Sequence, residues 1–192
     1  WSVKATHNGQ TSDTKSITFT DRYELSLSFA SAVLNNNDWA TIKEVSDNGE
    51  GANYWSIGDC KEVTLNGTVG ELTLSNFKTY AFILGFNHNS SLEGANCIHF
   101  QLAKTALSGG TDVALCDSNY NKAVTGFCMN TSSSSSGGWK SSNMRTAFCG
   151  TSLSSYSGTI IAVIPAELRA VLKSVTKYTN NTGNSTAANA VT

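Results

Sequence analysis

Apolar and polar residues alternate along much of this chain, and the alternation gives way in a few places to runs with helical spacing. Val3 and Ala5, then Ile17 and Phe19, occupy alternate positions on either side of Asn8-Gly9. This predicts a hairpin with a long, polar turn. Tyr23, Leu25, Leu27 and Phe29 continue at period two as a third strand. Two or three strands do not close a core by themselves, so residues 1–30 read as a strand-rich lead-in to a larger domain.

Asn35, Asn36 and Asn37 break the alternation. Asp38 then stands as the N-cap of a helix whose apolar residues are Trp39, Ile42 and Val45, with a stop near Asn48-Gly49. The stretch from Asn53 to Gly67 has the clearest local grammar: Tyr54 and Trp55 lead to Ile57 and a Gly58-Asp59 turn. Val63 and Leu65 next alternate with polar residues as far as Asn66-Gly67, a strong short-range hairpin signal. Thr68 to Leu74 is expected to return as the partner strand, and the apolar run Phe82 to Phe86 reads as a buried strand. In Cys97 to Leu102, residues Ile98, Phe100 and Leu102 share one face while Cys97, His99 and Gln101 share the other. Val113 to Cys116 and Phe127 to Met129 are further short strands.

The Ser132 to Ser136 run closed by Gly137-Gly138 reads as a flexible loop that delivers Trp139. Ser142 caps a short helix through Phe148, which Gly150 ends. Pro165 opens a longer helix with Leu168, Val171, Leu172 and Val175 at i, i+3, i+4 and i+7. Glu167 lies near its start and Lys173 and Lys177 near its end, as the helix dipole favours. From Thr179 onward periodicity is lost, and residues 181–192 read as a polar tail or linker. The expected fold class is therefore α+β and β-rich, with antiparallel sheets and two or three short helices.

Composition narrows the function classes. The chain has 192 residues, 40% hydrophobic and 14% charged, with Ser, Thr, Asn and Gly in place of the missing charge. Such a polar but weakly ionic surface suits extracellular or virion-exposed β-proteins. With 13 basic and 14 acidic residues and no basic cluster, nothing is gathered to neutralise phosphates, so nucleic acid is not an expected partner. The apolar runs Ala81 to Phe86 and Ile160 to Ala166 fall well short of the roughly 18 to 20 residues of a membrane helix. A first residue that is Trp rather than Met reads as a fragment or a processed product. Five cysteines, at positions 60, 97, 116, 128 and 149, are spaced without any Cys-x-x-Cys. They read mostly as buried thiols rather than a disulfide framework or a structural zinc site.

Three constellations offer chemistry. Cys97 and His99 lie on one strand face, where a thiol and an imidazole could meet, but no third orienting group is apparent and a structural role is expected. Asp117-Ser118-Asn119-Tyr120-Asn121 begins like a calcium loop. It then places Lys122 where the tight-turn glycine belongs and Cys128 where the bidentate glutamate belongs, so an Asx turn is the simpler reading. The candidate binding residues are Asn87, His88 and Asn89, in the loop after a buried strand, and Trp139, Asn143 and Arg145 around the Ser/Gly loop. An exposed Trp beside amides and a guanidinium holds a sugar or a partner surface. The alternatives are that His88 bonds only to neighbouring backbone and that Trp139 anchors its helix in the core. No catalytic set, metal site or cofactor is expected.

Several segments in fixed order carry a resemblance. They are Asn37-Asp38-Trp39-Ala40-Thr41-Ile42, Gly51 to Asp59, Phe82-Ile83-Leu84-Gly85-Phe86-Asn87-His88-Asn89, Ile98-His99-Phe100-Gln101, Gly138 to Arg145, and Pro165 to Lys177. Residues 31–180 thereby resemble an uncharacterised domain family of surface and phage proteins of gut Firmicutes. In that family the domain usually runs on into a Trp-Trp-Leu-Arg-Ser-Pro signature, which this sequence lacks. The resemblance implies a C-type-lectin-like module, and the first 30 residues look like the last strands of an immunoglobulin-like repeat. It implies a non-enzymatic bacteriophage virion or bacterial surface module, a fibre or decoration protein, displayed on the virion or cell surface. Such a module forms a homo-oligomer, contacts neighbouring virion proteins and adheres to a host-surface glycan or protein. The rival expectations are a purely structural virion assembly component and a cysteine-dependent enzyme on a scaffold like that of formylglycine-generating oxidases.

Overall fold

The computed structural model describes residues 2–3, 6–8, 10–11, 15–16, 30–70, 72–103, 130, 137–180 and 188–191. The expected strands at residues 23–29, 113–116 and 127–129, the loop at 132–136 and the calcium-like stretch at 117–121 lie outside them. Near the start, Ser2–Val3 (β1) pairs antiparallel with Lys15–Ser16 (β4), and Thr6–His7 (β2) with Gln10–Thr11 (β3). The turn is tight rather than long, because His7 already faces Gln10 and Asn8 takes a φ of 48°. Asparagine tolerates that left-handed conformation, which suits a two-residue connection.

Helix α1, Trp39–Asp47, forms as its spacing predicts. The Asp38 carboxylate accepts the amide of Thr41 at 2.7 Å, satisfying a donor that the first turn leaves open. Trp39, Ile42 and Val45 are buried on one stripe, and Trp39 meets Phe100 edge-on at 5.7 Å. A second short helix, α2 (Gly51–Tyr54), brings Trp55 into the core, where it is 2% exposed and its indole N–H reaches the Ser31 carbonyl at 2.9 Å.

The core packs on an antiparallel sheet of three strands in spatial order β5 (Cys60–Val69), β6 (Leu72–Phe86) and β7 (Ile98–Ala103). The Asn66-Gly67 pair is not the hairpin turn the sequence predicts. β5 runs straight through it, and the turn falls between Val69 and Leu72, which pair, with Gly70 at φ +59°. What Asn66 does instead is oppose a bulge in β6 over Ser75 and Asn76. Asn76 adopts φ 47° and its amide donates to the Asn66 side-chain oxygen at 2.7 Å.

A bulge adds one residue to a period of two and so exchanges the faces of a strand. Leu72 and Leu74 precede this bulge on even positions; Phe77, Ala81 and Ile83 follow on odd ones, and all join one core. A second register shift between Ile83 and Gly85 returns the strand to even positions, so that Phe86 packs on the same core while Leu84 is 37% exposed. Across from it, Ile98, Phe100 and Leu102 of β7 face the core as the alternation predicts.

Beyond α3 (Ser90–Glu93), the short helix α4 (Gly138–Ser141) carries Trp139, and a π-helical stretch follows over Met144–Cys149. Ser142 caps that stretch by accepting the Arg145 amide at 3.1 Å, and Gly150, at φ +85°, ends it. Met144 and Phe148 are buried. Helix α5 (Ile160–Val163) lies against β5 and buries Val163.

The helix expected to run on from Pro165 is only one turn long, α6 (Ala166–Arg169). Two tertiary pulls explain the early stop. Arg169 turns back to the carbonyls of Ile164 and Ile161 at 2.6 and 3.1 Å, and Lys173 reaches out to Asp47 at 2.7 Å. Leu168 and Val171 still pack in the core, but Leu172 is 37% exposed, so the apolar spacing holds for burial only in part and does not hold for conformation. The chain then enters β8 (Lys177–Asn180), paired antiparallel with β9 (Ala188–Val191). That pairing replaces the unstructured tail expected for residues 188–191. The architecture is α+β with a three-stranded antiparallel sheet, and no helix among the described residues is long and apolar enough to cross a membrane.

Candidate functional site

The loop Asn87-His88-Asn89 is held in a defined shape. Asn87 and Asn89 have φ of 54° and 47°, a conformation that Asn adopts more cheaply than most residues. Asn87 is tied to Cys97 twice, its amide donating to the Cys97 carbonyl at 2.9 Å and its side-chain oxygen accepting the Cys97 amide at 3.0 Å. All three loop residues are exposed. The His88 ring stacks on His99 with centroids 4.6 Å apart and planes 20° from parallel.

Gly85 makes the stack possible. It pairs with His99 across the sheet, and a Cβ built on it would sit 2.1 Å from Nε2 of His88. The imidazole therefore occupies the space that any larger residue would fill. Next to the stack, Nδ1 of His99 lies 3.7 Å from Oε2 of Glu93, whose side chain is 6% exposed. Oε1 of Glu93 accepts from Nζ of Lys177 at 2.8 Å. Among the described residues, Nε2 of His99 and Oε2 of Glu93 are buried with no hydrogen-bond partner, an arrangement that costs desolvation energy.

Electrostatics follow from this packing. Burial pushes the proton affinity of His99 down, and the neighbouring His88 and Lys177 push the same way, while Glu93 opposes them. The Lys177 hydrogen bond holds the Glu93 carboxyl below its usual range against the cost of burial. Nothing in sequence spacing links residues 88, 93, 99 and 177. Only His88 was legible as a candidate; Glu93, His99 in this role and Lys177 are assembled by the fold.

Cys97 and His99, adjacent on paper, are put to separate uses. The Cys97 thiol is buried and donates to the Ala95 carbonyl at 3.6 Å, while the His99 imidazole joins His88 and Glu93. The Cys60 thiol is held in its neutral form, burial first and the Asp59 charge second raising its pKa. Both facts are those of inert thiols. Among the described residues, no group of three or more His, Cys, Asp or Glu is placed to hold a metal ion.

Trp139, Asn143 and Arg145 are grouped in and just after α4. Trp139 is half-buried and packs against the core. The Asn143 amide donates to the Asn130 side chain at 3.1 Å, and Nη1 of Arg145 donates to the Lys140 carbonyl at 3.3 Å.

Sequence reasoning missed a sizeable cleft. It has a volume of about 530 Å³ and opens between the start of α1, strand β5 and the α5–α6 segment. Its walls carry both signs of charge: Asp38, Glu62 and Glu167 against Lys61 and Arg169. The β5 edge forms part of the lining. The Glu62 amide points away from β6 and is taken by the Asn35 side chain at 2.8 Å, and strand alternation turns the Thr64 amide the same way. Arg169 is fixed in place by its two carbonyls and by Tyr156, over whose ring it lies at 4.5 Å. A separate cavity of about 240 Å³ beside α1 and β7 is lined mainly by apolar residues, Ile42, Phe100, Leu168 and Val171 among them. Comparison of the chain with protein-family models, curated proteins and solved structures returns no match.

Proposed function

We propose that this chain is a non-enzymatic display module of a phage virion or bacterial surface, a C-type-lectin-like fibre or decoration domain over residues 31–180. It adheres to a host-surface glycan or protein through the cleft between β5 and α5–α6. The cleft is the observation that carries the reading. Its volume of about 530 Å³ falls in the roughly 300–1,000 Å³ typical of ligand sites. Charges of both signs, the Asn66 amide and an outward strand edge line it. Such walls suit a neutral, hydroxyl-rich or peptide ligand better than a strongly charged one, in keeping with a net charge of -1.

The resemblance of residues 31–180 to a phage and surface family, and the polar, weakly ionic surface, supply the context. Homo-oligomerisation and contacts with neighbouring virion proteins belong to the same proposal. The inert environments of Cys60 and Cys97 favour this reading over an oxidase that works through either of those two thiols.

The test is retention of the full chain on host cell-wall glycans and on whole host cells. Thr64→Arg, which pushes a long cation into the cleft from a half-buried strand position, is expected to lower retention about tenfold or more. His88→Ala, outside the cleft, is expected to leave it unchanged. Full retention by Thr64→Arg moves adhesion to another face. An absence of retention by the unmodified chain on every host fraction removes adhesion and leaves the assembly role.

A further inference from the structure

We propose that the stacked His88 and His99, with Glu93 and Lys177, form an acid-sensitive clasp that ties strand β8 to the end of the sheet and releases it when the imidazoles gain protons. This goes beyond adhesion and does not depend on it.

The geometry supplies the clasp. Lys177 is the first residue of β8, and its ammonium is bonded at 2.8 Å to a carboxylate on α3. That carboxylate is 6% exposed and carries a second oxygen with no partner, 3.7 Å from an imidazole nitrogen. Behind the imidazole a second one is stacked at 4.6 Å, set in the hollow left by Gly85. Among the described residues the charged and titratable groups here are His88 from the loop after β6, Glu93 from α3, His99 from β7 and Lys177 from β8, with Lys43 of α1 and Lys173 lining the apolar cavity that His99 also borders. Lys173, earlier on the same segment, is engaged separately by Asp47 at 2.7 Å and by the Asn96 carbonyl at 2.9 Å.

With neutral imidazoles one buried carboxylate faces one ammonium, and the charges balance. A proton on His99 sets a second cation beside the same carboxylate, and a proton on His88 would place two like charges in face-to-face contact. The free oxygen of Glu93 then draws the His99 imidazolium in competition with Lys177. Relief comes from opening: His88 leaves the stack with its exposed loop, and Lys177 withdraws with β8, to which β9 is paired.

The sign is set by the direction of each shift. His99 binds its proton less tightly folded than unfolded. The cluster's stability is therefore intact above the ordinary imidazole value of about 6.5 and declines as pH falls below it. Glu93, held low by Lys177, adds a later loss as pH falls below the ordinary glutamate value of about 4.3. Both act in the same direction, the histidine first.

Amide hydrogen exchange on the full chain, expressed as protection factors so that intrinsic exchange cancels, tests this at about pH 7.5 and about pH 5. The expected result is a loss of protection of about tenfold at Leu92, Glu93 and Gly94, whose amides close the turn that follows His88 and carries the Glu93 carboxylate, with α1 unchanged. His99→Gln is expected to abolish the pH dependence, and His88→Asn to reduce it. Equal protection at the two pH values, or a loss that persists in His99→Gln, overturns the proposal. Should His99→Gln fail to fold, the imidazole titration of His99 in the unmodified chain decides: a midpoint below about 6.5 supports the clasp, and one at or above it overturns it.

Discussion

Gly85 shows how one missing side chain sets up a site. It lies opposite His99 on the sheet, and His88 Nε2 stands 2.1 Å from where its Cβ would be. Gly85→Ala forces a shift, but the atom that must move is the tip of an exposed loop side chain, so the cost to global stability is expected to stay within about 1 kcal/mol. What should change is the titration of His99. Displacing His88 removes a neighbouring charge and part of the covering, both of which hold its pKa down. The His99 midpoint is expected to rise, as read by imidazole proton shifts in NMR; an unmoved midpoint would show that His88 is not what shapes its environment. His88 was legible as a loop residue near a buried strand. Its partner Glu93 was not, since a carboxylate at the end of a one-turn helix has no sequence mark until Lys177, 84 positions away, is folded onto it.

At the scale of elements, strand faces and α1 were readable, while strand irregularities and the C-terminal helix were not read correctly. Trp39, Ile42 and Val45 announced α1, and Ile98, Phe100 and Leu102 announced the core face of β7. Asn66-Gly67 carried the strongest hairpin signal, yet Leu65 and Val69 are both fully buried, and a turn between them would have lost one from the core. A bulge opposite Asn66 keeps both. Its trace was present as the change from even to odd apolar positions between Leu74 and Phe77. The helix after Pro165 was overestimated because periodicity reports which residues can be buried, not their conformation: Leu168 and Val171 join the core although the helix ends at Arg169, and Leu172 stays exposed.

The bulge gives a prediction at this scale. Asn76 holds φ 47° and its amide is satisfied by Asn66. Asn76→Gly is expected to be neutral to within about 0.5 kcal/mol, and Asn76→Val to cost about 1–2 kcal/mol, because a β-branched residue is disfavoured in the left-handed region. Urea unfolding midpoints at a common m-value check it. Equal effects of Gly and Val would mean that the strand takes another register.

For the molecule as a whole, the sheet divides the work. One face buries Leu65, Ala81, Ile83 and the α1 stripe; the end of the sheet beyond β6 and β7 holds the imidazole cluster, and the edge of β5 lines the cleft. The cleft could not be seen from sequence because its walls come from residues around 38, 61–66 and 162–169, three stretches with no shared motif. Trp39, Val63 and Val163 belong to both the core and the cleft wall, so under the proposed function a ligand would rest on the packed scaffold itself.

The proposed adhesion through this cleft is tested most directly by mapping amide chemical shifts of the full chain during titration with solubilised host cell-wall glycan. The account predicts shifts concentrated at Lys61–Asn66 and Ala162–Arg169, with Leu65 and Ile83 in the core retaining their exchange protection. Shifts confined to Trp139–Arg145 or to the Asn87–Asn89 loop, or no shifts with any host surface fraction, would contradict it.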